Sequence, residues 1–405
     1  MTKSETYYLK LYDQVLATFE YHTNEFGETE ACELQVVPGK EFLLPLNLLA
    51  EKSDLELERF LNSRVIPRNR AYAEEILKPF GFNASRPKDI IDVTRGVSVN
   101  DSYSIVPEND ILPFARYNLF CNDLDTTLQA TALTGVAPQE AAHSNIPGEL
   151  SVSGTFPKAW RNISGKLVLY KAGSAWRVSN TGKEPYSEYL ASQVAEAMGL
   201  NHVSYSLEIW HNELCSTCPL MNNADTSFVQ FGFAITAKQF ATMNLSRAIT
   251  YFENISKEAA ESFKSMLVFD AVIANKDRHL GNYGLLRDNH SGEIKGFAPI
   301  YDNNLSLFAQ ELTDDLTPEF MKNQLASMPG AFSQNVLEQA ELVMGNRQYE
   351  ELSRLKNFHF DFDLVYELQT PDTRTAFEEQ HAKALELSVK ETVCKLMKSY
   401  QKKVF

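Results

Sequence analysis

Three side chains, Asp277, Asn282 and Asp302, have the types and the spacing to do chemistry together. They lie in the run Asp270-Ala-Val-Ile-Ala-Asn-Lys-Asp277-Arg278-His279-Leu-Gly-Asn282-Tyr-Gly-Leu-Leu and in the later Pro299-Ile300-Tyr301-Asp302. An aspartate, an asparagine five residues on and a second aspartate beyond a hairpin is the spacing at which phosphoryl-transfer sites orient a hydroxyl and hold magnesium. In that scheme Asp277 takes the substrate proton, and Asn282 and Asp302 hold the metal. Hard oxygen ligands and one positioned carboxylate are enough for such a reaction, and no thiol, haem or flavin is called for. Standing alone, Asp-x-x-x-x-Asn would only cap a helix and open a strand, so the flanking elements have to support the chemical reading.

They do so through periodicity. From about Ser256 to Ala274, apolar residues at Ala259, Phe263, Met266, Leu267, Val272 and Ile273 follow a helical period that ends just before Lys276-Asp277. Tyr283-Gly-Leu-Leu286 and Ile294-Lys-Gly-Phe-Ala298 then flank the polar Asp288-Asn-His-Ser-Gly292, a hairpin in which the glycine takes positive φ. Asn282 and Asp302 are thereby expected at opposite ends of one hairpin, meeting at its base. His279 and His290 together with the two aspartates would make a transition-metal site on paper, but Asn282 and the lack of a second close histidine speak for an oxygen-ligated cation.

With these residues in hand, Asp277-Arg-His-Leu-Gly-Asn282 and Tyr301-Asp302 resemble the Asp-x-His-x-x-Asn and metal-binding segments of HipA-like serine/threonine kinases. The Asp-Arg-His-x-x-Asn order is also similar to that of phosphoinositide kinases. The His-Arg-Asp order of eukaryotic protein kinases is absent, and Asp302 precedes Asn303-Asn304 rather than Phe-Gly. The resemblance implies ATP and Mg²⁺ as cofactors and a phosphate-covering loop upstream. Ser151-Val152-Ser153-Gly154-Thr155 matches the family's Ser-Val-x-Gly loop, whose backbone N–H groups face phosphate. Lys171, ending the alternating Lys166-Leu-Val-Leu-Tyr-Lys171, matches the ATP-binding lysine. Glu188 lies on a helix from Glu184 to Met198, with Pro185 in its first turn and Gly199 past its end, and would reach Lys171 as the partner glutamate of kinases. Leu220 and Met221 fall where the hinge and adenine pocket belong. His279 is implied to be a packed histidine that braces the loop. Ser151, with Ser153 and Thr155 as fallbacks, is the implied site of autophosphorylation.

The implied fold is α+β: a two-lobed protein-kinase-like fold with a small mixed N-lobe, a mostly helical C-lobe and an extra N-terminal subdomain. Residues 1–107 are expected to form that subdomain, 108–148 a connector, 149–222 the N-lobe and 223–405 the C-lobe. Tyr7 to His22 reads as two short strands about Asp13-Gln14, Leu55 to Leu61 as amphipathic, Arg70 to Lys78 as a helix stopped by Pro79 and Gly81, and Thr373 to Gln401 as a closing helix.

Composition supports a globular enzyme without choosing one. The chain has 405 residues, 44% hydrophobic and 11% aromatic, enough for a large core and more than one domain. A net charge of −15 argues against nucleic acid or an anionic membrane as the main partner. Five irregularly spaced cysteines suit a reducing compartment, the resemblance implies a cytoplasmic, bacterial setting, and Cys215-Ser-Thr-Cys218 reads as two strand cysteines rather than a zinc or redox motif. No signal peptide or long apolar run is apparent. The reading is a kinase acting on a protein substrate, of a kind often held as a toxin by a separate antitoxin, since no helix-turn-helix is seen. A lipid or small-molecule kinase, and a catalytically silent binding module of the same fold, are the alternatives.

Overall fold

Period-two alternation at the start of the chain yields the expected hairpin. Strands Lys3–Leu11 and Gln14–Thr23 pair antiparallel, with Tyr7 opposite Phe19 and Leu9 opposite Ala17. Thr29–Val36 and Tyr103–Pro107 flank them, so that the spatial order is third, second, first, fourth. The inward set Tyr7, Leu9, Leu11, Phe19 and Tyr21 is buried in one core with Leu57, Phe60 and Leu61 of the helix Asp54–Asn62. Ser53 caps that helix by accepting from the Glu56 N–H at 3.4 Å.

The computed structural model describes residues 3–82, 86–137, 146–174, 181–369 and 376–404. The chain forms two compact units, each assembled from three stretches. The first comprises Met1–Lys171, Leu220–Thr242 and Leu285–Lys295, and the second Ala172–Pro219, Met243–Gly284 and Gly296–Phe405.

Besides the N-terminal sheet, the first unit holds the antiparallel strands Lys158–Ile163 and Lys166–Ala172. It also holds Thr226–Gln230 beside the Leu285–Lys295 part of the hairpin formed by strands Gly284–Asp288 and Ile294–Phe297. The hairpin turn is built by Asp288, whose carboxylate accepts from the backbone N–H of His290 and Ser291 at 2.9 Å each. Gly292 then takes φ of 73°, and a Cβ there would lie 2.3 Å from the Phe42 carbonyl oxygen, so only glycine fits. The buried Arg287 joins this hairpin to the N-terminal segment by donating to the carbonyls of Leu44 (2.6 Å), Gly292 (2.8 Å) and Phe42. The helix expected from Arg70 is shorter than its pattern: it spans Ala73–Leu77, continued by a tight turn to Phe80. Tyr72, at φ 60°, stands in the left-handed region ahead of it, and Arg70 is turned into the interior.

In the second unit the helix Glu184–Met198 has Pro185 in its first turn and Gly199 at φ 73° after its end, as the sequence requires. Strands Ser206–Trp210 and Glu213–Pro219 pair antiparallel and pack against it, with Cys215 and Cys218 both buried. The helix Lys257–Val272 is capped by Ser256, whose hydroxyl accepts from the Ala259 N–H at 3.0 Å. It packs against Leu245–Ile255, Val336–Val343 and the long Glu379–Val404. Thr373, where the closing helix was expected to begin, lies outside the described residues. Among the described residues no helix is long and apolar enough to cross a membrane.

His381, on the inner face of the long helix, is almost fully buried. Its Nδ1 lies 3.4 Å from both Lys183 Nζ and Thr313 Oγ1, and its ring packs 4.8 Å from that of Phe377. Burial first, and the charge of Lys183 second, push its pKa from 6.5 to about 3. The native state therefore holds His381 neutral while the unfolded chain protonates near 6.5, so stability is fully present above that value and falls as pH drops toward 3. Urea midpoints of the wild type should fall with pH below about 6.5, and His381→Gln should flatten that part of the profile. An identical slope in the variant would place the acid sensitivity elsewhere.

Candidate active site

The long helix Lys257–Val272 delivers Asp270 to a buried position, and the loop that follows folds around it. Asn275 Nδ2 donates to Asp270 Oδ1 at 2.9 Å, and the Asn275 side-chain oxygen accepts from the Asp277 N–H at 3.0 Å. Arg278 is the centre of the loop. Its Nε donates to both Asp270 oxygens at 3.1 Å, Nη2 to Asp270 Oδ1 at 2.9 Å and to Asn303 Oδ1 at 2.6 Å, and Nη1 to the carbonyls of Asn282 (2.8 Å) and Tyr301 (2.7 Å). Burial works against the Arg278 charge, but attraction and hydrogen bonding from Asp270 outweigh it and raise its pKa. One guanidinium thus ties the helix end, the Asp277–Asn282 loop and the segment leading to Asp302.

Around this centre the expected residues take defined places. Asn282 is buried, and its Nδ2 donates to the Asp277 carbonyl at 2.8 Å, so that Oδ1 is the atom of this side chain that could hold a cation. Asp277 is half-buried. His279 braces the loop, its Nδ1 accepting from the Gly281 N–H at 3.0 Å, but its ring is exposed rather than packed. Tyr301 donates its hydroxyl to the Gly281 carbonyl at 2.5 Å. The segment before Asp302 is fixed by Val203 N–H to Ile300 O and Ile300 N–H to Asn201 O, both 2.9 Å. Asp302 itself has φ of 56°, a strained conformation of the kind that collects at functional sites.

Tyr205 links that strained residue to the helix Glu184–Met198. Its hydroxyl accepts from the Asp302 N–H at 3.2 Å. Burial raises the phenol's pKa well above its ordinary value, and the charges of Glu188 and Asp302 add to the effect, so both carboxylates lie near it. Glu188 is buried and accepts from Ser216 Oγ at 2.9 Å. One residue earlier on that helix, Ser187 donates to the carbonyls of Asn303 (3.0 Å) and Ser306 (2.8 Å).

The first unit carries the basic constellation. Gly154, at φ 88°, is the exposed crest of the Ser151–Thr155 loop, with Ser153 and Thr155 exposed beside it. Val152 is buried, and so is Ser151, whose hydroxyl donates to the Gly148 carbonyl at 3.0 Å. Lys171 is buried on its strand, its Nζ 5.7 Å from the centre of the Phe156 ring. Directly opposite in the hairpin register stands Lys158, also buried. A Cβ on Gly154 would lie 2.1 Å from Lys158 Nζ, so this second ammonium occupies the space under the loop crest. The Lys158 charge lies close enough to Glu149 to favour its carboxylate form. Leu220 packs on the apolar cluster that includes Val152, Trp160 and Leu167, and its N–H donates to the Leu167 carbonyl at 2.9 Å; Met221 beside it is half-buried.

Asp270, Arg278, Asn303 and Lys158 were not singled out from the sequence. A signal existed for Lys158, which stands as far before the Ser164-Gly165 turn as Lys171 stands after it. Arg278 carried none, because one residue among the polar neighbours of Asp277 says nothing of how many carbonyls it will collect.

No family model matches the chain. A stretch of 134 residues is 28% identical to the serine/threonine-protein kinase CtkA of Helicobacter pylori, and the match covers 31% of this chain and 41% of that protein. The chain thus spans about two fifths of the length of the curated relative it matches. The crystal structure of the Helicobacter pylori proinflammatory kinase CtkA aligns with a TM-score of 0.47 and 19% identity over 61% of this chain and 95% of that one. HipA of Shewanella oneidensis MR-1, solved with HipB and operator DNA, aligns with a TM-score of 0.61 and 12% identity over 97% of this chain and 99% of that one. The alignment with the Shewanella HipA shows that the α+β, HipA-like fold expected from the sequence is the fold of this chain, and at that level the resemblance is borne out.

Removing one partner of a buried ion pair leaves an uncompensated charge, at a cost of about 3–5 kcal/mol. Asp270→Asn and Arg278→Gln should each destabilise the second unit by an amount of that order. Amide exchange should rise most in residues 273–284 and 300–307. Unchanged protection there would show that the loop holds its shape without Arg278.

Proposed function

We propose that the chain is an ATP- and magnesium-dependent serine/threonine protein kinase of HipA type. The observation that carries the proposal is the Arg278 centre, which orders Asp277, Asn282 and the Asp302 segment in one loop system. Asp277 would accept the proton of a serine or threonine hydroxyl as its oxygen attacks the γ-phosphorus and ADP departs. The donor set suits magnesium, because the Asp302 carboxylate and the Asn282 amide oxygen are both hard ligands. When bound, the ion would neutralise phosphate charge. Lys158, Lys171 and the N–H groups of Ser151 to Gly154 would take the phosphates, Glu188 would pair with Lys171, and Leu220 and Met221 would line the adenine pocket. In this reading residues 1–107 are the N-terminal subdomain, 108–148 a connector, 149–222 the N-lobe and 223–405 the C-lobe.

The serine/threonine assignment is supported by the name of the Helicobacter relative. The Shewanella HipA is bound to HipB and DNA, which supports a separate antitoxin as a partner here. With a net charge of −15, nucleic acid would be met through such a partner rather than by this chain. A cytoplasmic site of action follows from the need for ATP and a protein substrate.

Asp277→Ala should lower γ-phosphate transfer by roughly 10²–10⁴. ATP at about 100 times its Kd should stabilise the wild type by roughly 2.7 kcal/mol, more in Mg²⁺ than in EDTA. Asp302→Asn should erase most of the magnesium-dependent part and Asp277→Asn should keep it. Transfer to lipid or small molecules alone would favour that alternative. Equal shifts with and without magnesium, and no transfer, would favour a silent module.

Autophosphorylation in the loop adds a second test. Ser153 and Thr155 are reachable as the loop stands, whereas Ser151 is accessible only once the Gly148–Ser151 turn opens. A phosphate there adds about −1.5 to −2 charge and should weaken ATP binding. Mass spectrometry after incubation with Mg-ATP should find phosphate between Glu149 and Lys158. An unmodified peptide would remove this regulation and leave the transfer reaction standing.

A further inference from the structure

Beneath the Ser151–Thr155 loop lies a buried arginine that the proposed reaction does not use. Arg70 comes from the N-terminal stretch, where the turn Pro67–Arg70 and the left-handed Tyr72 reverse the chain and aim the guanidinium inward. Its side chain is fully buried, and that of Glu149 nearly so. Nη2 donates to Glu149 Oε2 at 3.0 Å and to the Lys158 carbonyl at 2.7 Å. Nη1 donates to the carbonyls of Val152 at 2.8 Å and Glu149 at 3.4 Å. The other Glu149 oxygen accepts from the Trp160 N–H at 2.9 Å, and the Ala71 N–H donates to the Thr155 carbonyl at 2.8 Å.

The contacts fall on the beginning, the middle and the end of one loop. Glu149 and Lys158 bracket the residues that would cover phosphate, and Arg70 holds both brackets at once. Burial lowers the Arg70 pKa and raises that of Glu149 despite their mutual attraction, so the pair sits where solvent cannot replace either partner. A surface turn of this length needs no such device. A loop that must present N–H groups and the Lys158 ammonium in one fixed arrangement does.

We infer that Arg70, acting through Glu149, is a positioning residue for the phosphate-covering loop, and that the N-terminal stretch serves ATP binding by supplying it. This rests on the kinase reading for the identity of the ligand, but not for the rigidity of the loop. Arg70→Lys keeps a charge and loses the simultaneous reach to Glu149, Val152 and Lys158. Glu149→Gln keeps an acceptor for Trp160 and loses the ionic partner.

The test compares both variants with the wild type by amide exchange without nucleotide, and by the ATP dependence of transfer. In either folded variant, protection should fall in residues 149–158 while the second unit keeps its own. The KM for ATP should rise by about tenfold or more, with kcat at saturating ATP changed far less. Unchanged loop protection in a folded variant would overturn the inference, as would protection lost equally throughout or a kcat loss at constant KM. Should Arg70→Lys fail to fold, Glu149→Gln decides alone by the same readouts. A wild type that transfers no phosphate would sink the kinase reading instead, and the exchange comparison would still report whether Arg70 sets the loop.

Discussion

A guanidinium taken out of water is costly unless its N–H groups find acceptors, and Arg278 meets that demand by gathering acceptors from three places in the chain. Asp270 supplies the charge, Asn282 and Tyr301 supply carbonyls, and Asn303 supplies a side-chain oxygen. The need to satisfy one buried cation therefore dictates where the loop and the Asp302 segment must lie. Asn282 follows from it, because a loop closed on Arg278 brings its Nδ2 onto the Asp277 carbonyl.

The same device appears in each unit. Arg278 organises acidic and amide groups in the second, and Arg70 organises the loop from Glu149 to Lys158 in the first. In both, a planar, always charged side chain fixes backbone carbonyls that no regular element would hold. Local strain accompanies this: Ala274, Asp302, Leu307 and Phe308 all take positive φ in the segments around the Asp277–Asn282 loop. Such conformations persist only where the surroundings over-determine them. The Ser187 and Tyr205 contacts to residues 302–306 supply that surplus of constraint.

Elements defined by periodicity and punctuation were legible in the sequence. The helices about Glu188 and before Asp277, the hairpin with Gly292 and the N-terminal hairpin all match their patterns, because each is set by neighbours within a few residues. The helix expected from Arg70 was misplaced because its first residue satisfies distant carbonyls instead of a helical turn. His279 was expected to be packed and is exposed, since Arg278 beside it takes the interior position. Lys158 was recoverable by counting register, whereas the four-acceptor environment of Arg278 was not, because long-range hydrogen bonds leave no trace in spacing.

The interleaving of the two compact units has a consequence for how the chain comes into being. A ribosome that has released the Asp277–Asn282 loop has still to make Leu285–Lys295, the last stretch of the first unit, and most of the second. Neither unit is a continuous piece of the polypeptide, so neither can close behind the other in simple N-to-C order, and contacts of long sequence separation must form late. The Arg278 centre would then close only after the segment beyond Gly296 has begun to emerge, because Tyr301 and Asn303 are made later than the loop they hold.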